Sequence, residues 1–101
     1  MLITDYSSVF FDVAFLNRPQ IFYQFDSDDF RKYHYQKGYL DFKHDGLGEV
    51  CETETQVVEA LKKYIDGNMQ LEPVYKKRID NFFVLHDDKN CERIYNSICS
   101  L

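Results

Sequence analysis

Thr4, Asp5, Ser7 and Ser8 crowd into one polar turn, Leu2-Ile3-Thr4-Asp5-Tyr6-Ser7-Ser8, and a mostly apolar run from Val9 to Leu16 follows at once. An apolar strand end that runs into such a turn, with a helix opening behind it, aims backbone N–H groups and two hydroxyls at one point. The start of a helix carries unsatisfied N–H donors and about half a positive charge, so the chemistry on offer is anion binding, phosphate above all. The same residues suit plain helix capping by Asp5, Ser7 or Ser8. Taken alone, the turn leaves both readings open.

The elements that would position this turn follow from hydrophobic pattern and breakers. Residues 2–4 read as the end of a buried strand and 7–17 as a helix with apolar groups on most sides, ended by Asn17-Arg18-Pro19. Asp12 belongs on that helix's wet stripe or needs a partner. Residues 20–25, with Ile21, Phe22, Tyr23 and Phe25, form a second strand. Strand, helix and strand in so short a span predict a βαβ unit with a parallel pair, and ligands in such sheets bind beyond the carboxyl ends of the strands. Thr4-Asp5 lies at that edge.

Downstream, residues 26–48 form a long irregular stretch. A helical turn is expected at Phe30 to Tyr35 and extended chain at Gly38 to Phe42. Arg31, Lys32, Lys37 and Lys43 could line an anionic site there, with Asp41 orienting one of them; equally, Tyr33, Tyr35, Tyr39 and Phe42 could staple down a surface loop. A third strand is expected at 49–51. Thr53 and Gln56 make a capping box for a helix that stops at Asp66-Gly67-Asn68. Leu71-Glu72-Pro73 starts another helix, with Tyr75, Ile79, Phe82, Phe83 and His86 on its apolar face. A last helix runs from 90 to 100, with Cys91, Ile94, Tyr95, Ile98 and Cys99 in one stripe. The fold class is α/β.

With 101 residues the chain has room for one domain, and 45% hydrophobic residues with eight tyrosines and nine phenylalanines indicate a dense core or a face meant for further packing. A net charge of −5 argues against nonspecific nucleic-acid binding and against a lipid-binding basic patch. No apolar run approaches the roughly 20 residues that span a bilayer, and the start lacks the basic segment and cleavage site of a signal peptide. Cys51, Cys91 and Cys99 are odd in number and scattered, which reads as free thiols in a reducing compartment. Neither they nor His34, His44 and His86 stand at metal-ligand spacing, so no metal and no cofactor is expected. The chain carries no Gly-rich phosphate loop and no defensible Ser-His-Asp set. His86 reads as a packed, hydrogen-bonded residue.

The order L-I-T-D-Y-S-S-V-F-F-D, then Arg18-Pro19-Gln20-Ile21-Phe22-Tyr23 before an acidic loop, resembles the CDP-glycerol glycerophosphotransferase family, whose members build teichoic-acid and related capsule polymers from glycerol or ribitol phosphate. Gly38, Tyr39, Asp41 and Phe42 match a further segment of the family. The resemblance implies a GT-B type transferase with Rossmann-like halves, of which residues 1–101 would be the C-terminal fragment of the nucleotide-donor-binding lobe. It implies that the turn holds the diphosphate of a CDP-activated polyol donor and that a polyol-phosphate polymer is the acceptor. The catalytic histidine region would precede the turn in a missing N-terminal lobe, so no catalytic residue is assigned here and this segment alone should not turn over. The parent enzyme would work in the cytoplasm, peripheral on the inner face of the membrane. Glu92-Arg93-Ile94 matches the family's approach to its last helix, although Asp87-Asp88-Lys89-Asn90-Cys91 replaces the expected glycine and serines. Arg93 could reach a phosphate as a bidentate fork or pair with a nearby carboxylate. The alternatives are a non-catalytic phosphate- or nucleotide-binding module, or a purely structural α/β fragment. A sheet interrupted at its first strand would also expose an edge prone to self-association.

Overall fold

The computed structural model describes residues 1–25 and 41–101. Its elements are β1 (Leu2–Thr4), α1 (Phe10–Phe15), β2 (Gln20–Tyr23), β3 (Glu49–Cys51), α2 (Glu54–Asp66), α3 (Pro73–Phe82) and α4 (Asn90–Cys99). The helical turn expected at 30–35, the extended Gly38–Leu40, and Arg31, Lys32 and Lys37 lie outside the described residues.

The three strands form one parallel sheet in the order β1-β2-β3. Thr4 stands opposite Phe22, and Phe22 opposite Val50. A central parallel strand is covered on both faces. Accordingly Gln20, Ile21 and Phe22 are fully buried. Their side chains alternate between two cores. Phe22 joins Phe10 and Ala14 of α1, Leu47, and Ile79 of α3 on one face. Ile21 and Cys51 join Ala60 and Tyr64 of α2 on the other. The described residues therefore form the expected α/β class, with helices on both faces of the parallel sheet.

The first helix is shorter than the expected 7–17. Residues 8 and 9 make a tight preliminary turn, with the Phe11 N–H donating to the Ser8 carbonyl at 3.1 Å. At the other end Asn17 takes φ 54°. Its N–H bonds the Ala14 carbonyl at 2.8 Å and that of Arg18 bonds the Val13 carbonyl at 3.2 Å, the paired bonds of a Schellman stop. Phe10 and Ala14 are buried and Asp12 is exposed on the wet stripe. The second strand likewise ends at Tyr23, two residues early. The backbone N–H of Gln24 still reaches the Cys51 carbonyl at 2.8 Å.

The capping box at α2 is complete: Thr53 accepts the Gln56 N–H and the Gln56 side chain accepts the Thr53 N–H. Asn68, at φ 64°, ends α2 by the same Schellman pairing, through Asn68 N–H to Ile65 and Met69 N–H to Tyr64. Gly48 stands where a Cβ would come 2.5 Å from the Gln20 carbonyl oxygen, so the chain can pass this close to β2 only without a side chain. His86 lies beyond α3; its Nε2 reaches the Phe15 carbonyl and its ring packs on Phe15 and Phe83. The last helix, α4, buries no residue. No helix among the described residues is long and apolar enough to cross a membrane.

Candidate functional site

The turn after β1 carries four of the five residues singled out from the sequence. Thr4 is the last residue of the strand and half-buried, whereas Asp5, Ser7 and Ser8 are exposed. Asp5 Oδ1 accepts the Tyr6 N–H at 2.6 Å, folding the carboxylate back onto its own turn. Ser7 Oγ accepts the Val9 N–H at 3.4 Å, a long and weak bond. The N-cap position of α1 is Val9, and no side chain caps that helix. Asp5, Ser7 and Ser8 therefore do not cap α1, which removes the plainest structural explanation for two adjacent serines here. Both hydroxyls are offered to solvent beyond the carboxyl end of β1.

Arg93 is not brought to this turn by any contact of its own. It sits on α4, where its guanidinium pairs with Asp87 and donates to Asn90 Oδ1 at 3.0 Å. The hydrogen bond from Arg93 holds the Asp87 carboxyl below the usual carboxylate range, and the Lys89 backbone N–H adds to that. Of its two sequence-level roles, Arg93 takes the carboxylate pair.

A second polar centre was not legible in advance. Gln20, the first residue of β2, is completely buried, and its Nε2 donates to the Phe10 carbonyl at 3.1 Å and to the Leu47 carbonyl at 3.4 Å. It ties the start of α1 to the segment that leads into β3. A polar residue in a strand buried on both faces was the available signal, since such a group must find partners.

A third feature is the turn at 41–45, which closes through the Asp45 N–H to the Asp41 carbonyl at 2.7 Å. Asp41 Oδ1 accepts the Lys43 N–H at 2.9 Å, and its Oδ2 meets His44 Nδ1 at 3.0 Å. The His44 hydrogen bond, with help from the Lys43 N–H, lowers the Asp41 pKa. Among the described residues, the side chain that Asp41 meets is His44; of the cations expected to use it, Arg31, Lys32 and Lys37 lie outside the described residues. Lys43 is paired with Glu52 at 2.6 Å.

At the far end of the sheet Lys63 lies between Glu49 and Glu72, at 2.7 and 2.6 Å. Burial pulls its ammonium down, but the two carboxylates outweigh it and the pKa is raised. This cluster joins β3, α2 and the start of α3, on the side away from the Thr4–Ser8 turn.

Comparison with known proteins identifies the family. The family model described as CDP-Glycerol:Poly(glycerophosphate) glycerophosphotransferase matches residues 1–100. The minor teichoic acid biosynthesis protein GgaB of Bacillus subtilis (strain 168) is 41% identical over 101 residues, covering 100% of this chain and 11% of the relative. The teichoic acid glycerol-phosphate transferase of Staphylococcus aureus (strain NCTC 8325 / PS 47) is 34% identical over 97 residues, 96% of this chain and 25% of the relative. The teichoic acid poly(ribitol-phosphate) polymerase of Bacillus spizizenii (strain ATCC 23059 / NRRL B-14472 / W23) is 35% identical over 99 residues, 97% of this chain and 15% of the relative. The chain thus spans between 11% and 25% of the length of these relatives. No solved structure matches it. With its strand–turn–helix motif inside a match that runs over residues 1–100, the chain belongs to the CDP-glycerol:poly(glycerophosphate) glycerophosphotransferase family.

Proposed function

We propose that this chain is the donor-binding portion of a polyol-phosphate transferase, acting on CDP-glycerol or a related CDP-polyol in teichoic-acid or capsule synthesis. The observation that carries the reading is the placement of Thr4, Asp5, Ser7 and Ser8. They form a turn at the carboxyl end of a parallel strand, with exposed hydroxyls that no cap consumes, inside a whole-chain family match. In this reading the two hydroxyls and the N–H groups behind them hold the donor's diphosphate. Phosphoryl transfer asks a protein for positioning, charge neutralisation and a base for the acceptor hydroxyl. This segment supplies positioning and donors, and the base comes from the lobe that precedes it. A GT-B arrangement of two Rossmann-like halves fits the three-layer fold. The acceptor is a polyol-phosphate polymer, and the whole enzyme works at the cytoplasmic face of the membrane.

The test is titration of CDP-glycerol, CDP and CMP into the chain, followed by amide NMR. The expected result is saturable shifts centred on Asp5 to Val9, larger for the diphosphates than for CMP. Shifts confined to other segments, or none at millimolar nucleotide, would overturn the reading.

A further inference from the structure

The turn at 41–45 lies at the same rim as the Thr4–Ser8 turn, and two separate contacts fix it there. The Phe42 ring stands 5.5 Å from Phe10 and 5.2 Å from Phe22, which places the turn beside the start of α1. Lys43 Nζ stands 2.6 Å from Glu52, the residue that follows β3. The turn thus runs from beside the start of α1, two residues after Ser8, to the carboxyl end of β3. It is internally braced, because Asp41 accepts the Lys43 N–H with one oxygen and His44 Nδ1 with the other. His44 itself is 81% exposed. Its Nδ1 is occupied, so Nε2 is the ring nitrogen left for a ligand, and the Asp41 bond fixes the direction in which it is offered. A carboxylate behind an imidazole is the arrangement that orients histidine toward a second partner. Among the described residues, Lys43 pairs with Glu52 and Arg93 with Asp87.

We propose that His44, oriented by Asp41, is a further contact to the anionic part of the nucleotide donor: with Nδ1–H donated to Asp41, the ring binds phosphate as the imidazolium, whose Nε2–H donates to a phosphate oxygen. The proposal rests on the donor-binding reading above and adds a residue to it. Asp41 is then a positioning residue, acting through His44 and not on the ligand. Phosphate brought to the rim by the Ser7–Ser8 turn meets a donor from the opposite side, a two-sided clamp that the serines alone would not give.

The experiment follows the imidazole C–H signals of His44 and the backbone amides of the same chain during titration with CDP and with CMP. His86, packed on Phe15 and Phe83, serves as the internal reference ring. CDP is expected to move the His44 signals in step with the Asp5–Val9 amides and to leave His86 unmoved. His44→Gln is expected to weaken CDP binding about tenfold, the scale of one charge-assisted hydrogen bond. Asp41→Asn can keep the bond to the Lys43 N–H but loosens the ring, so binding should weaken less than in His44→Gln while the His44 signals shift in the free chain. If the Asp5–Val9 amides respond to CDP but the His44 ring does not, and His44→Gln binds like wild type, the clamp is wrong and the donor-binding reading survives. If CDP moves neither, the donor-binding reading fails and takes the clamp with it.

Discussion

Ser7 and Ser8 behave differently in the structure from the caps they resemble on paper. A capping serine normally contributes about 1 kcal/mol to stability, but here the N-cap is Val9 and the one bond from Ser7 Oγ is 3.4 Å long. Replacing both with alanine should therefore leave the denaturation midpoint almost unchanged. In the complete enzyme the same double mutant should lose roughly tenfold or more in CDP-donor use, as two desolvated charge-assisted bonds disappear. Unchanged donor kinetics would remove the serines from the site. Gln20 carries the opposite expectation. Gln20→Ala strands the Phe10 and Leu47 carbonyls and opens a cavity, so urea unfolding should show a loss of about 2–4 kcal/mol. A loss under 1 kcal/mol would mean that the carbonyls find other partners. The turn was legible because its residue types announce their chemistry. The double bridge of Gln20 was not, since a glutamine at the head of a strand looks like a polar flank until both neighbouring segments are in place.

Among the elements, strand positions, stops and the bounds of α2 and α4 were legible, and the start of α1 was not. Apolar runs bounded by breakers located β1 and β3 to the residue, and Asp66-Gly67-Asn68 marked the end of α2 because asparagine tolerates the left-handed conformation that a Schellman stop needs. The same chemistry at Asn17 ends α1 at the expected breaker, while a separate turn at residues 8 and 9 delays its start. The contact of α2 with the start of α3 holds a cluster with its own pH dependence. Burial raises the Tyr64 pKa, and the Glu72 charge adds to it. Tyr75 is raised by the same causes, and Lys63 is raised between its carboxylates. Each of these groups binds its proton more tightly folded than unfolded. Their contribution is complete below the unfolded values, near 10 for tyrosine and lysine, and is lost as pH rises beyond them. Stability should therefore fall above about pH 10, and Tyr64→Phe should flatten that fall. The Tyr64 hydroxyl is buried without a hydrogen-bond partner, so Tyr64→Phe should be neutral or slightly stabilising at pH 7. A Tyr64→Phe variant with an unaltered alkaline slope would exclude this origin.

At the scale of the whole molecule, the sheet of the described residues covers its two edges unequally. Leu2 packs into the core beneath α1, whereas Ile3 on the other face of β1 is 46% exposed, because α2 shields β2 and β3 only. An uncovered apolar edge strand invites pairing with another chain. Light scattering should show self-association that grows with concentration, and Ile3→Lys should reduce it; a clean monomer at high concentration would exclude the edge as a contact surface. The burial of α4 has a separate consequence, in time rather than in space. A helix of ten residues that buries none of them draws no stability from the two cores. Its own propagation is marginal at that length, with nucleation penalised roughly a thousandfold. Its amides should then exchange with solvent orders of magnitude faster than those of β2, by opening that never passes through global unfolding. Exchange of the Ile94 and Ile98 amides as slow as that of Ile21 and Phe22 would show that α4 is held by something beyond its own turns. Otherwise the ten residues of α4 keep a clock of their own, running free of the two cores.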